Sequence, residues 1–338
     1  MNRSQKAALL AKIIPVVFSL LICAIGLELF ARVIYGRPTM HFGIEMWKYA
    51  RLLKERAPDP EMSHQHQPDK EAFLLGVDVK INSVGFRDRE FSLQKPPGTY
   101  RIVALGDSTT FGWGVPYDET YPKVLEKSLN DNPPSPKWSH YEVINTGIGN
   151  YNTAQELAML KDYGLQFNPD MVTIGWYIND AEPTPVPSKN WIAYHSYGYI
   201  WLTSNLDSVL RNVGARQTYK EYYNGLYDSG QPGWPKCQRA FAELSALCKQ
   251  RNIALHILLI PELHTLSGNY EFKRIDGYIK DIGRKVDAPV LDLIDAYPPD
   301  GDPHRFWASP EDDHPNGAAN ILEANYISQT LRREQWIK

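Results

Sequence analysis

The sequence has few cysteines and almost no excess of charge of either sign. Its 338 residues include three cysteines, too few for a disulfide-rich scaffold or a four-cysteine zinc site. Basic residues number 36 and acidic residues 39, so the formal net charge is only −3, and no long basic run occurs. Nucleic-acid binding needs concentrated positive charge, so the composition argues against that class. Hydrophobic residues make up 43% of the chain, which is enough for a folded core and excludes a disordered protein.

The first 40 residues contain the one long apolar run of the chain. Between Ile13 and Ala31 the single charged residue is Glu28. A helix over this stretch is about 29 Å long, close to the hydrocarbon thickness of a bilayer. Glu28 lies one helical turn before Arg32, so the two side chains can pair near the end of the span. We expect a cytoplasmic tail over residues 1–12 and a transmembrane signal-anchor over residues 13–35.

Three different kinds of segment fit this run less well. A cleaved signal peptide has a shorter apolar core and a small-x-small cleavage site, which Leu29-Phe30-Ala31 does not supply. A lipoprotein signal needs a small residue before its cysteine, but Ile22 precedes Cys23. A core helix of a soluble protein is rarely uncharged all round when it lies at a chain terminus.

The orientation of the span follows from the positive charges that flank it. These are Arg3, Lys6 and Lys12 before the run, and Arg32 and Arg37 after it. Positive flanks and short N-terminal tails usually stay inside. We therefore expect a single-pass protein of the cytoplasmic (inner) membrane, with the rest of the chain on the extracytoplasmic, periplasmic side.

Residues 36–98 follow as an extracytoplasmic lead segment rich in proline. It carries His64 and His66, which raise the question of a metal site. Two histidines in a proline-flanked stretch are typical of a solvated loop, and that is our expectation for them.

From residue 99 onward, apolar runs alternate with amphipathic stretches. The predicted strands cover residues 100–105, 143–148, 171–177, 253–260 and 289–294. The predicted helices cover residues 121–129, 154–165, 238–251, 272–286 and 318–333. Continuously apolar strands that alternate with helices predict an α/β fold, in which helices cover both faces of a parallel sheet. In such folds, ligands bind beyond the carboxyl ends of the strands.

The side chains that could carry chemistry follow these strands. Ser108 comes directly after the first strand, in a Gly-Asp-Ser turn that opens a helix whose N-terminal amides favour negative charge. A loop of small residues after the second strand holds Gly147 and Asn150 and can bring backbone N–H groups close to a ligand. Asn179 follows the third strand, where its side-chain amide could donate to an oxyanion.

A histidine with three acidic neighbours precedes the last helix. His314 follows Glu311, Asp312 and Asp313 directly. A carboxylate beside a histidine can fix its tautomer and stabilise its charged form, as catalysis by a histidine base requires.

The stretches around Ser108, Asn150, Asn179 and His314 are four sequence blocks. In this order they resemble the GDSL or SGNH hydrolase superfamily, over roughly residue 101 to the C-terminal helix. The resemblance implies a flavodoxin-like three-layer α/β/α sandwich with a parallel sheet, and a reaction that needs no metal or organic cofactor. It also implies roles: Ser108 as the nucleophile, His314 as the general base and Asn179 as an oxyanion donor. We therefore expect a hydrolase domain of this type over residues 99–338.

The chain departs from the family pattern at two positions. The second block usually contributes the backbone N–H of a glycine to the oxyanion, and Asn150 occupies that position, with Gly147 and Gly149 as alternatives. The acid of the family's triad usually lies three residues before the histidine, where this chain has Glu311. Asp312, two residues before, is a substitute of equal weight, so both acids remain candidates.

Residues 181–234 are predicted to be an insertion rich in aromatic residues. They include Trp191, Tyr194, Tyr197, Tyr199, Trp201, Tyr219, Tyr222, Tyr223, Tyr227 and Trp234. These side chains could form platforms for sugar rings, the small core of a lid, or a belt at the membrane interface.

Three functions from different classes remain. The first is a membrane-anchored extracytoplasmic serine esterase that removes acetyl or other acyl groups from a carbohydrate. The second is an O-acetyltransferase for an exported polysaccharide that works with a membrane-bound O-acyltransferase partner, as the resemblance to membrane-tethered members of the superfamily suggests. The third is a non-catalytic assembly subunit, which the intact serine, asparagine and histidine blocks disfavour.

Overall fold

The N-terminal residues form one long helix, α1 (Arg3–Tyr35), which contains the expected span. The computed structural model of the chain describes residues 3–337 except 38, 187–189, 267, 269 and 300–301. Among these residues, α1 is the one helix long and apolar enough to cross a bilayer. Its large apolar side chains are exposed along most of its length, whereas Ala31 is buried against the rest of the protein.

The lead segment consists of a helix and two hairpins. These are α2 (Phe42–Leu53), β1 (Lys54–Arg56) paired with β2 (His64–His66), and β3 (Glu71–Leu74) paired with β4 (Val77–Lys80). Apolar residues of this segment share one cluster with Phe111 and Trp113 of the α/β unit. The segment therefore packs directly on the unit that holds the predicted site.

The expectation of a solvated loop around His64 and His66 is wrong. Both residues lie in β2, and His66 is buried. Its two ring nitrogens are within hydrogen-bonding distance of the Tyr49 hydroxyl (2.7 Å) and the Gly85 carbonyl (3.1 Å). These partners satisfy the imidazole inside the protein, so its burial costs little.

A five-stranded parallel sheet forms the centre of the α/β unit. In chain order the unit contains β5 (Thr99–Gly106), α3 (Ser108–Phe111), α4 (Tyr121–Asp131), β6 (His140–Asn145), α5 (Thr153–Asp162), β7 (Met171–Trp176), α6 (Trp191–His195), α7 (Tyr197–Asn212), α8 (Tyr219–Gly225), α9 (Gly233–Gln250), β8 (Ala254–Leu259), α10 (Lys273–Val286), β9 (Val290–Asp292), β10 (Trp307–Ser309), β11 (Asp312–Pro315) and α11 (Gly317–Arg333). The strand order β6-β5-β7-β8-β9 is the flavodoxin-like order, which confirms the predicted fold class.

The second strand differs most from its predicted bounds. The apolar pattern predicts it over residues 143–148, but β6 ends at Asn145, and the following residues Thr146, Gly147 and Ile148 form a loop. Ile148 is nonetheless completely buried. Its apolar character therefore reflects burial of the loop, which sequence patterns do not distinguish from burial of a strand.

Candidate active site

Ser108 lies at the carboxyl end of β5, an interior strand of the sheet, as the first residue of α3. The preceding Asp107 caps this short helix, because its Oδ1 accepts a hydrogen bond from the Thr109 N–H at 2.8 Å. Space at the turn is so restricted that a Cβ atom on Gly106 would lie 2.0 Å from the hydroxyl oxygen of Thr110. The glycine thus permits a tight turn that leaves Ser108 only 5% exposed.

The structure brings His314 and Asp312 to this serine. His314 Nε2 lies 2.8 Å from Ser108 Oγ, and His314 Nδ1 lies 2.5 Å from Asp312 Oδ1. The second oxygen of Asp312 accepts a hydrogen bond from the indole N–H of Trp113 at 2.7 Å. A serine, a histidine and an aspartate thus form a continuous chain of hydrogen bonds, and the buried Trp113 holds its far end.

Glu311, the other candidate acid, does not join this chain. It is exposed in the turn between β10 and β11, and its backbone N–H donates to Ser309 Oγ. Side chains that are two residues apart in a strand point to the same face, so Asp312 and His314 meet on one side of β11. No sequence pattern predicts β11. Because of this strand, the carboxylate that contacts His314 is the one two residues before it, Asp312.

Charged neighbours control the protonation of His314. Burial disfavours its charged form, but the carboxylates of Asp312, Asp313 and Asp107 outweigh this and raise the pKa of His314 to about 9. Burial likewise acts to raise the pKa of Asp312, but the charge of His314 and the hydrogen bonds from His314 and Trp113 keep it below its usual value. The pair therefore favours an ionised aspartate beside an imidazolium.

Asn179 lies beside the same turn, in the 3-10 turn that follows β7. Its side-chain N–H₂ donates one hydrogen bond to Asp107 Oδ2 at 2.8 Å, which orients the amide next to Ser108. An amide nitrogen carries two hydrogens, so one remains for another acceptor.

The loop after β6 holds the three candidates for a backbone donor. The Gly147 N–H donates to Asn145 Oδ1 and the Gly149 N–H donates to Tyr49 Oη, so neither group is free in this conformation. Asn150 has a φ of 66°, the left-handed conformation in which glycine is most often found and which asparagine tolerates. Its backbone N–H, like that of Ser108, donates to no other residue in the part of the chain that the structure describes.

Side chains of the lead segment hold this loop. Lys54 Nζ donates to the Gly149 carbonyl at 2.5 Å and to Asn150 Oδ1 at 2.9 Å. His64 Nε2 lies 3.1 Å from the same carbonyl, so both backbone groups of Gly149 have partners outside the loop. Burial lowers the pKa of Lys54 to about 7. We call Tyr49, Lys54 and His64 the loop clamp.

Two groups of side chains have the spacing of metal ligands. One is Glu262, His264 and Asp313, and the other is Asp312, Asp313 and His314. His264 Nδ1 is hydrogen-bonded to Glu262, and the hydroxyl groups of Tyr177 and Tyr219 are within 3.5 Å of Asp313 Oδ2. The carboxylates of Glu262 and Asp313 therefore both have hydrogen-bonding partners within the protein.

Sequence reasoning does not identify the contacts that Trp113 and the loop clamp make with the site. Trp113 follows the Ser108 block closely, and a tryptophan at that spacing could have been considered as a donor to the acid. No sequence signal connects Lys54 with Asn150, because they are 96 residues apart and the lead segment has no motif of its own.

Comparisons with known proteins identify the family of the chain. The family model described as the GDSL-like lipase/acylhydrolase family matches residues 104–320. No curated protein matches the chain.

Solved structures similar to this chain have low identity to it. They include an esterase of Pseudoalteromonas sp. (16% identity, 70% of this chain and 99% of that one, TM-score 0.43), a lipase/acylhydrolase of Enterococcus faecalis (17%, 70% and 96%, 0.41) and a catalytic mutant of an acetylxylan esterase of Geobacillus stearothermophilus (15%, 68% and 93%, 0.43). The family model covers most of the α/β unit, including both Ser108 and His314. The chain therefore belongs to the GDSL-like lipase/acylhydrolase family and is a hydrolase of ester bonds.

Proposed function

We propose that the protein is a membrane-anchored extracytoplasmic serine esterase that removes small acyl groups, acetyl above all, from a carbohydrate. The observation that carries this proposal is the hydrogen-bonded chain Ser108–His314–Asp312. In this proposal α1 crosses the membrane, and the α/β unit lies on the periplasmic side.

The reaction follows from the geometry in two steps. Ser108 Oγ attacks the ester carbonyl carbon while His314 Nε2 takes its proton, and Asp312 stabilises the imidazolium that forms. The tetrahedral intermediate then collapses, the alcohol leaves with the proton from His314, and the acyl group stays on Ser108. In the second step His314 takes a proton from water as the water oxygen attacks the acyl carbon. The bond from that carbon to Ser108 Oγ then breaks, Oγ regains a proton from His314, and the free acid leaves.

The negative oxygen of each intermediate needs donors beside Ser108. We assign this role to the backbone N–H groups of Ser108 and Asn150 and to the side-chain amide of Asn179. The first two have no acceptor among the described residues, and the third has one hydrogen left. One such donor is typically worth about 3 kcal/mol of transition-state stabilisation.

The surroundings of the site support a small acyl group on a larger alcohol. Ser108 is nearly buried, and the rings of Phe42 and Trp113 lie within 6.3 Å of the His314 ring, which restricts the space for an acyl chain. A groove of about 620 Å³ extends from Asn150 between the lead segment and the insertion. Trp47 and Tyr194 line it, and aromatic rings beside polar groups suit a sugar.

The first prediction concerns Ser108. Ser108→Ala removes the nucleophile and is expected to abolish hydrolysis of p-nitrophenyl acetate with an unchanged melting temperature. Ser139→Ala, at an exposed position, is the matched control and should retain full turnover. Substantial activity of the Ser108 variant would rule out this mechanism. Repeating the assay with an acetylated oligosaccharide and a free acceptor distinguishes hydrolysis from acetyl transfer.

The second prediction separates the two candidate acids. Asp312→Asn leaves His314 in the wrong tautomer and is expected to lower kcat by a factor on the order of 10⁴. Glu311→Gln changes an exposed turn residue and should leave kcat close to that of the unmodified protein. Steady-state kinetics on one ester measures both variants, and equal kcat values would exclude Asp312 as the orienting acid.

The third prediction concerns pH. His314 must be neutral to accept the serine proton, and its raised pKa places the acidic limb of the kcat/KM profile near pH 9 rather than near the unperturbed value of about 6.5. Asp313 contributes to this rise, so Asp313→Asn should move the limb to lower pH while the plateau at high pH changes little. Asp118→Asn, an exposed control, should leave the profile unchanged. An unshifted limb in the Asp313 variant would contradict the assignment.

The fourth prediction tests the loop clamp. Lys54→Met removes both hydrogen bonds to the loop and is expected to lower kcat about tenfold or more, with a smaller effect on KM, because an oxyanion donor is displaced. Adding Asn150→Gly should restore part of the loss, since glycine adopts the left-handed conformation without support. The exposed Lys70→Met is the control. An unchanged kcat in Lys54→Met would mean that the loop keeps its conformation unaided.

A further inference from the structure

Helix α7 of the insertion presents an apolar face to its surroundings. Tyr199, Leu202, Leu206 and Val209 recur at helical spacing, and Val213 continues the row just past the helix end. At about 100° per residue these positions fall within roughly 80° of the helix circumference. Leu202, Leu206 and Val209 are each at least 50% exposed. We call this row the apolar face of α7.

The other side of α7 packs on the lead segment. The Tyr197 and Trp47 rings are 4.6 Å apart, and a Cβ atom on Gly43 would lie 2.4 Å from Ser204 Oγ. The helix is therefore fixed in rotation, and its exposed apolar face points away from the lead segment. This arrangement does not match a lid that packs its own small core.

Glu28 of α1 fixes where α7 begins. Its carboxylate accepts hydrogen bonds from Ser196 Oγ at 2.6 Å and from the Gly198 N–H at 2.9 Å, at the first turn of α7. The two helices approach closely here, because a Cβ atom on Gly198 would lie 3.2 Å from the Glu28 backbone. An anion at a helix N-terminus is stabilised by the free N–H groups and the helix dipole.

Two further contacts connect α1 to the insertion. Arg32 donates to the carbonyl of His195 at 3.0 Å, and the Trp201 indole N–H donates to Tyr35 Oη at 2.9 Å. The junction of α6 and α7 is thus held at the level of residues 28–35 of α1.

The exposed side of α1 stays apolar past Glu28, toward the C-terminal end of the helix. Leu29, Phe30, Val33 and Ile34 are all about half exposed or more, and Ile34 lies about 9 Å further along the helix than Glu28. If α1 crosses a bilayer, the start of α7 therefore lies within the depth of its apolar surface. Trp191 and Ile192 of α6, at 70% and 53% exposed, lie in the segment just before this junction.

We infer that the apolar face of α7, together with Trp191 and Ile192, rests in the headgroup region of the lipid bilayer beside α1. The inference depends on the proposed membrane span and goes beyond it, because it assigns the insertion to the membrane surface. Apolar and aromatic side chains on one side of a helix are the features that bind this region. The catalytic site is then held close to the membrane, since α2 packs on α7 at Gly43 and also carries Phe42, whose ring centroid lies 6.0 Å from that of His314.

The test uses the full-length protein in nanodiscs with one copy per disc. The native Cys23 is exposed on α1, while Cys237 and Cys248 are buried, so a thiol-reactive, environment-sensitive fluorophore attached to Cys23 reports the span itself. In a Cys23→Ala background, Ile192→Cys and Leu202→Cys report the inferred surface. Ser208→Cys, on the opposite side of α7, is the matched control.

The readout is quenching by lipids that carry a nitroxide in the headgroup or high on the acyl chain, and, for the Cys23 label near the middle of the span, by lipids that carry it near the end of the acyl chain. We expect labels at positions 192 and 202 to be quenched about twofold or more and to emit at shorter wavelength, whereas the label at position 208 remains water-like, as for a helix lying 5–10 Å deep in the interface. A quenched Cys23 label with unquenched labels at 192 and 202 would overturn the inference and leave the proposed anchor intact. An unquenched Cys23 label would overturn both. If the label at position 202 emits at shorter wavelength but is not quenched by these lipids, the apolar face of α7 contacts protein and not lipid, which would also overturn the inference.

Discussion

The hydrogen bond between Ser108 and His314 is the contact on which the site depends, and it joins residues 206 positions apart. Ser108 and His314 are each fixed by a different local structure. Ser108 is held by the end of an interior strand and the cap of a short helix, whereas His314 is held by a small hairpin that also presents Asp312. Ser108 and Asn179 follow parallel strands that end at one edge of the sheet, and the hairpin β10–β11, a separate two-stranded sheet, places His314 at that same edge. Without that common edge, the sequence blocks would be unrelated turns.

The fold and most of the site could be predicted because they follow from local patterns. Continuously apolar strands, amphipathic helices and small residues at strand ends produce the same signals wherever they occur, so the sheet and the positions of Ser108, Asn179 and His314 could be read from the sequence. The choice between Glu311 and Asp312 could not, because it depends on a hairpin whose strands are only three and four residues long. The alternation of side chains along the second strand decides which carboxylate faces the histidine. Hairpins this short have no amino-acid pattern long enough to distinguish them from loops.

The lead segment illustrates a second limit. Nothing in residues 36–98 resembles a functional motif, and yet Tyr49 and Lys54 hold both backbone groups of Gly149. Their effect depends on tertiary packing between segments that are 95 or more residues apart. Asn150 shows why such support matters here: a residue with a Cβ in a left-handed conformation is strained by roughly 1–2 kcal/mol, and the hydrogen bond from Lys54 to its side chain offsets part of that cost.

Glu28 has a consequence for how the chain matures. It is made 168 residues before Ser196, its partner in the insertion, so α1 is complete before α7 exists. Until then Arg32 is the partner within α1 itself, one turn away. The N-terminus of α7 gains this anionic partner only when the insertion is brought back to α1. A chain cut after Tyr35 would lack Glu28, and the hydroxyl of Ser196, which accepts a hydrogen bond from the Tyr199 N–H, would then be the side-chain cap of α7.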